Sequence, residues 1–286
     1  MEGSAYCYGA ATIINGIAAG LGAAYGIGLI TKAKVILTDE AGVFDVKIEG
    51  DEGENPKLAE YCVLGVLKKF NMAEQYGAKI TTSSDIPISK GLKSSSAAAN
   101  AIILSTFKAL DKKFFDMEII NLGIDASFQA KVTITGAFDD SCATYFGNVA
   151  VTDNLNRKIL AQYPIEDDFD VIIHVPPKKI RKTDIDPEKL KGIKDTLKEA
   201  HTKALNKDYK TAIRINGSTF GKAMGLDTEI ASKAIEAGAV TAGISGTGPS
   251  TVILAEPEKK DNILAAIGSK DGIICTKLNR KKAGFL

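Results

Sequence analysis

From Gly3 to Thr31 the chain carries no charged residue. A stretch of that length is long enough to cross a bilayer as a helix, so it divides the possible folds into a membrane span or a buried part of a globular protein. Gly and Ala dominate it, Leu and Phe are sparse, and Tyr6, Asn15 and Tyr25 interrupt it. Such a segment gains little on entering lipid. A secretory leader opens with positive charge, whereas residue 2 is Glu2 and the first lysine is Lys32. The expectation is close-packed backbone beside a ligand site, where small residues permit near approach, in a cytoplasmic protein with no membrane partner.

Composition fits a globular enzyme. A length of 286 residues suits one large domain or two modest ones. With 36 basic and 35 acidic residues the net charge is +1, which gives no general attraction to nucleic acid. The arginines are Arg157, Arg181, Arg214 and Arg280, so few planar forks are available for carboxylate or phosphate. Cys7, Cys62, Cys142 and Cys275 form no C-x-x-C pair and lie far from His174 and His201. That spacing argues against a zinc site or a disulfide framework and for buried free thiols.

Strand-like runs fall at Lys34–Thr38, Phe44–Glu49 and Lys79–Ser83. A helix is expected from Lys57 to Phe70, with Leu58, Cys62, Val66 and Phe70 on one stripe. A second should begin near Ser95 and a third near Asp116, capped by the Asp116 side chain. From about Asn154 the pattern restarts. Asp170–Val175 reads as a buried strand stopped by Pro176-Pro177, and Asp186-Pro187 as a helix start. Leu190, Ile193, Leu197, Ala200 and Ala204 supply the apolar face of that helix. A further helix fits Asp227 to Glu236, with Gly238 as its stop, and strands fit Thr251–Ala255 and Ile273–Lys277. Helices and strands mix without strict parallel alternation, so the fold class is α+β, with a domain boundary near residue 155.

Three segments carry chemistry. The run Pro87-Ile88-Ser89-Lys90-Gly91-Leu92-Lys93-Ser94-Ser95-Ser96-Ala97 follows a strand and precedes a helix. It sets three serines at a helix N-terminus, where unpaired amides and the dipole favour an anion such as a polyphosphate. A serine hydroxyl there can also ligate magnesium; a capped helix without ligand is the plainer alternative. Gly243-Ile244-Ser245-Gly246-Thr247-Gly248-Pro249-Ser250 is either an ordinary turn or backbone packed on the first loop or on substrate. Thr133-Ile134-Thr135-Gly136-Ala137-Phe138-Asp139-Asp140-Ser141 places two acids in an apolar stretch. They fit either a solvated turn or a carboxylate facing a transferred phosphoryl group. The chain has no P-loop, no G-x-G-x-x-G and no G-x-S-x-G.

In this order the three segments resemble the GHMP kinases, named for galacto-, homoserine, mevalonate and phosphomevalonate kinases. The family's P-x-x-x-G-L-x-S-S-[AS]-A loop is matched at Pro87–Ala97 and its G-x-G-P-[ST] loop at Gly246–Ser250. Gly9–Gly16 sits where the family has its first substrate-side strand. The resemblance spans essentially the whole chain. It implies two domains, 1–155 like ribosomal protein S5 domain 2 and 156–286 ferredoxin-like. It also implies ATP bound at 87–97, magnesium at Ser95, and Asp139 as catalytic carboxylate with Asp140 beside it. Thr12, Asn15, Gly246 and Gly248 fall on the substrate side. Two departures stand out: Thr12 replaces the lysine of mevalonate-type members, and the position of a magnesium-binding Glu has Gln129, with Asp125 as another candidate.

Within the family, Thr-Gly-Ala-Phe-Asp-Asp and the Gly-Ala-Ala-Thr-Ile start look most like the archaeal-type shikimate kinases. That branch implies 3-phosphorylation of shikimate, a step of aromatic amino acid biosynthesis, and a cation for the substrate carboxylate, with Arg181 and Arg214 as candidates. Homoserine or mevalonate as acceptor keeps the family and changes the substrate. A non-catalytic S5-like module binding RNA is the rival of another class, and the near-zero charge argues against it.

Overall fold

The structure, a computed structural model, describes residues 1–50, 53, 55–178, 180, 186–268 and 272–286. The uncharged N-terminal stretch forms a long antiparallel hairpin of β1 (Glu2–Ile14), one turn of helix α1 (Gly16–Ala19) and β2 (Leu21–Thr38). Its lack of charge follows from cover on both faces. Every residue of β2 from Gly22 to Ile27 is buried, whereas further on exposed Lys32 and Lys34 alternate with buried Thr31, Ala33 and Val35. That alternation marks a sheet wet on one side. Among the described residues no helix is long and apolar enough to cross a membrane.

β2 is the spine of the first sheet. Next come β3 (Phe44–Ile48) and α2 (Lys57–Lys69), then β4 (Gly77–Ser84), which pairs in parallel with β3 and antiparallel with the far half of β2. Helices α3 (Ser94–Ala109), α4 (Asp116–Gln129) and α5 (Phe138–Phe146) follow. α3 and α5 lie on β1 and β2, and α2 and α4 pack on α3. Phe107, Phe138, Tyr145, Ile13 and Ile80 are fully buried in this core. β5 (Val149–Asp153) pairs with the first residues of β2, and β6 (Lys158–Tyr163) with β5.

The second sheet is antiparallel. It is built from β7 (Asp170–His174), β8 (Thr241–Ile244), β9 (Thr251–Ala255) and β10 (Ile273–Lys277) in the order β10-β7-β9-β8. Between β7 and β8 run α6 (Pro187–Lys191), α7 (Lys194–Leu205), α8 (Tyr209–Met224) and α9 (Glu229–Glu236). α8 packs on both β8 and β1, so it joins the two sheets. α9 and α10 (Lys260–Ile267) close over a separate cluster around Ile172, Ala234, Ile253 and Ile263. β11 (Gly284–Phe285) returns to β1. The α+β class expected from the sequence is the class observed. We propose two domains divided near residue 155; β6, just past that point, still pairs in the first sheet, and the second sheet begins at Asp170.

Several local expectations change in detail. The helix read through Leu190 and Ala204 is two helices, α6 and α7, with Gly192 and Ile193 between them. Asp186 does cap α6, accepting from the Glu188 amide at 2.9 Å. Asp116 does not cap α4. The Glu118 carboxylate accepts from the Phe115 amide instead, and Asp116 accepts from the Tyr145 hydroxyl. Cys7, Cys62 and Cys142 are buried free thiols, but Cys275 is exposed.

Candidate active site

Two helix starts face one cavity. α3 begins at Ser94 and α5 at Phe138, and a cavity of about 630 Å³ is lined by Gly91, Lys93 and Ser94–Ser96 from the first and by Ala137, Asp139 and Asp140 from the second. The first-turn amides of α3 lack intrahelical partners and carry the positive end of the dipole, a setting for phosphate. At α5 the same field favours the two carboxylates of its first turn.

Thr12 ties the loops together. Its hydroxyl oxygen accepts from the Lys93 ammonium at 2.6 Å and from the Gly246 amide at 2.7 Å. Its own amide donates to the Ser245 hydroxyl, which donates to the Gly91 carbonyl at 2.8 Å. Gly91 has φ 81°, and a Cβ there would run into the Ser245 carbonyl; only glycine lets the two loops approach this closely. Lys93 also pairs with Asp140 at 2.8 Å, with both side chains largely buried. Lys90 is buried as well and donates to the carbonyls of Pro176, Pro177 and Lys178, fixing the segment after β7.

Asp139 has a different environment from its neighbour. One carboxylate oxygen accepts from the Asn154 side-chain amide at 2.8 Å, and the Asp139 backbone amide donates back to Asn154. Thr152 holds Asn154 in turn, donating to its oxygen at 2.7 Å. The other carboxylate oxygen lies where a Cβ on Gly22 would stand. Burial, and next the Asp140 carboxylate, push the Asp139 carboxyl up to about 7, against the pull of Lys93 and the Asn154 hydrogen bond. A buried carboxyl that titrates near neutrality is suited to proton transfer.

The structure sorts the sequence candidates. Of the segment 87–97, Ile88, Ser89, Gly91, Lys93, Ser94, Ser95 and Ser96 line the cavity, as do Asn15, Asp139, Asp140 and Gly246. Pro87, Lys90, Leu92, Ala97, Thr12 and Gly248 do not; Leu92 and Ala97 are core residues and Thr12 is a buried tie. Arg214 is corrected: it is exposed on α8 and donates to the Val240 carbonyl at 2.7 Å, outside the cavity lining. Arg181 lies outside the described residues. Asp125 is paired with Arg157 at 2.6 Å and Gln129 is exposed; neither lines the cavity. Sequence reasoning passed over Asn154, which only its polar character just after a buried strand signals.

An anion-binding helix start facing a buried carboxyl across a cavity of this size is the layout of an enzyme that moves a phosphoryl group onto a small acceptor. Comparison with known proteins agrees. Residues 58–148 match the GHMP kinases N terminal domain. A shikimate kinase of Methanosarcina acetivorans is 38% identical, over 99% of this chain and 96% of its own. One of Methanobrevibacter smithii is 36% identical over 100% of both. In fold, the Cytophaga hutchinsonii homoserine kinase superposes with TM-score 0.76 at 16% identity, covering 100% of this chain and 97% of its own. A Lactococcus lactis galactokinase gives 0.78 at 13%, with 100% and 95% covered. The chain belongs to the GHMP kinases, in the family of archaeal shikimate kinases, and is an ATP-dependent small-molecule kinase.

Proposed function

We propose that this chain transfers the γ-phosphoryl group of ATP to the 3-hydroxyl of shikimate, giving ADP and 3-phosphoshikimate. The observation that carries the chemistry is the buried Asp139 carboxyl, held by Asn154 beside the Lys93–Asp140 pair and across from the start of α3. Support for the acceptor comes from relatives named shikimate kinase along the whole chain. The polyphosphate lies on the amides and hydroxyls of Ser94–Ser96, and the acceptor at the Asn15, Asn154 and Asp139 side. The hydroxyl oxygen forms a bond to the γ-phosphorus as the bond to the bridging oxygen breaks. ADP takes that electron pair, and the hydroxyl proton passes to Asp139. The Lys93 ammonium, anchored by Thr12 and Asp140, offsets charge on the moving phosphoryl group.

Magnesium fits the donor set. Ser95 is exposed on the cavity wall at the start of α3, and magnesium at phosphates takes one or two protein oxygens and fills its shell with phosphate and water. Among the described residues no group of three or more His, Cys, Asp or Glu forms an all-protein cage. Ser95 would hold the ion, which when bound supplies charge neutralisation and orients the phosphate oxygens. As a biosynthetic kinase the protein is expected to work in the cytoplasm. The test is ADP release from MgATP on addition of shikimate, with the phosphate position read by NMR; absence of shikimate-dependent release contradicts the reading.

A further inference from the structure

Asp139 meets Asn154 through an amide that could stand either way round. With its nitrogen towards the carboxylate it donates to the charged form; with its oxygen there it opposes that form. Two donors decide the orientation. The Thr152 hydroxyl donates to the Asn154 side-chain oxygen at 2.7 Å, and the Asp139 backbone amide, in the first turn of α5 and so without an intrahelical partner, donates to the same oxygen at 3.1 Å. Only the oxygen can accept, so the nitrogen is left facing the Asp139 carboxylate at 2.8 Å. Little room surrounds that nitrogen, because a Cβ on Gly16 or on Gly22 would collide with it. The Asn154 backbone is fixed as well, its amide donating to the Gly20 carbonyl at 2.8 Å.

Thr152 stands apart from the reacting groups. It is buried in β5 and does not line the cavity, so what it contributes to the reaction passes through Asn154. Its hydroxyl has one proton to give. The Gly22 carbonyl lies 3.2 Å away, farther than the Asn154 oxygen. Shape and strand preference alone would accept valine here; the hydroxyl is used on the asparagine.

The ionisable groups that act on Asp139 are Asp140 and Cys142 from its own helix and Lys93 from the start of α3. On neighbouring elements, Cys7 of β1 donates to the Thr144 carbonyl, Asp116 of α4 accepts from Tyr145, and Asp153 of β5 accepts from Asn156. His201 of α7 faces the Thr152 carbonyl, which a substitution of the side chain leaves in place. Burial holds the Cys142 thiol well above its ordinary value and the His201 imidazole below its own, so both are neutral where Asp139 titrates.

We propose that Thr152 is a positioning residue for phosphoryl transfer: by holding the Asn154 oxygen it presents the Asn154 N–H to the carboxylate that receives the acceptor's proton. The hydrogen bond from Asn154 favours the charged form of Asp139 and opposes the effect of burial. Loosening it raises the pH at which Asp139 becomes a base. This inference rests on Asp139 being the proton acceptor in the transfer.

Thr152→Val tests it with two readouts. One is the carboxyl 13C titration of Asp139, its signal identified by its absence from Asp139→Asn; it needs neither ATP nor acceptor. The other is the pH profile of kcat/KM for shikimate. In the variant both midpoints should move up by about half a pH unit or more, and kcat/KM below the midpoint should fall about threefold or more, with recovery at high pH. The KM for ATP should stay within about twofold. Thr152→Ser, which keeps the hydroxyl, should restore both midpoints. Asn154→Ala should move them further, by about one unit or more, and Thr152→Val should add nothing in that background, because the two residues act in series. If Thr152→Val does not melt cooperatively, Thr152→Ala is read in the same way. A carboxyl midpoint that stays in place in a folded Thr152 variant overturns the proposal, as does an activity loss equal at every pH, which assigns Thr152 to the fold. An added shift in the Asn154→Ala background also overturns it, because Thr152 then acts by another route. A carboxyl midpoint that moves while the kcat/KM profile does not overturns the reading of Asp139 as proton acceptor, and the part of Thr152 in the reaction with it.

Discussion

The Lys93 ammonium lies 2.8 Å from the Asp140 carboxylate, with 6% and 13% of the two side chains exposed. The pair ties the phosphate loop to the helix that carries Asp139, and Thr12 completes the tie from the first strand. Removing one member of a buried pair leaves the other charge without compensation. Lys93→Met should therefore destabilise the protein by about 3–5 kcal/mol and lower turnover sharply. Urea melts with and without ATP analogue measure the first, ADP release the second. A variant with wild-type stability and turnover would show that the pair is a bystander.

Asp139→Asn should keep ATP binding and lose roughly 10²–10⁴-fold in kcat, the range for a positioned acid or base. Its stability should move the other way. The folded carboxyl titrates near 7, above its ordinary value of 3.8, so the wild type loses stability as pH rises from that ordinary value through 7. Asparagine has no charge to bury, and the variant should melt higher than wild type at pH 8, with the difference shrinking towards pH 4. The wild-type kcat/KM should in turn rise with pH up to about 7 and then level, since the base must be deprotonated. If Asp140→Asn is inactive while Asp139→Asn turns over normally, the assignment of the two acids is reversed.

Much of this site was legible in the sequence because its parts are local. The serine run at a helix start is read from adjacent residues, and α3 begins within one residue of the expected place. The acid pair was visible for the same reason. Asn154 was not: it sits 15 residues from Asp139 and reaches it only because β5 packs beside α5. The pairing of β1 and β2 was hidden because burial on both faces removes the alternation that marks a strand. The helix that carries Arg214, α8, was legible in the sequence only without bounds. Gly217 lowers its helix propensity, yet the bare position is what lets the helix pack on the backbone of β8 at Gly243.

Ser95 is exposed at the cavity wall, so Ser95→Ala should leave the melting temperature unchanged. At limiting magnesium its turnover should fall at least about tenfold, equivalent to about 1.4 kcal/mol of barrier, with partial recovery as magnesium is raised. Activity equal to wild type under limiting magnesium removes Ser95 from the metal site.

Acceptor choice is tested most directly by one measurement. Coupled ADP release is followed with shikimate, homoserine and mevalonate as sole acceptors, at saturating MgATP. Shikimate should give the highest kcat/KM, and the phosphorylated product should carry its phosphate on the 3-oxygen. A higher kcat/KM for homoserine or mevalonate, or no ADP release with shikimate, would contradict it.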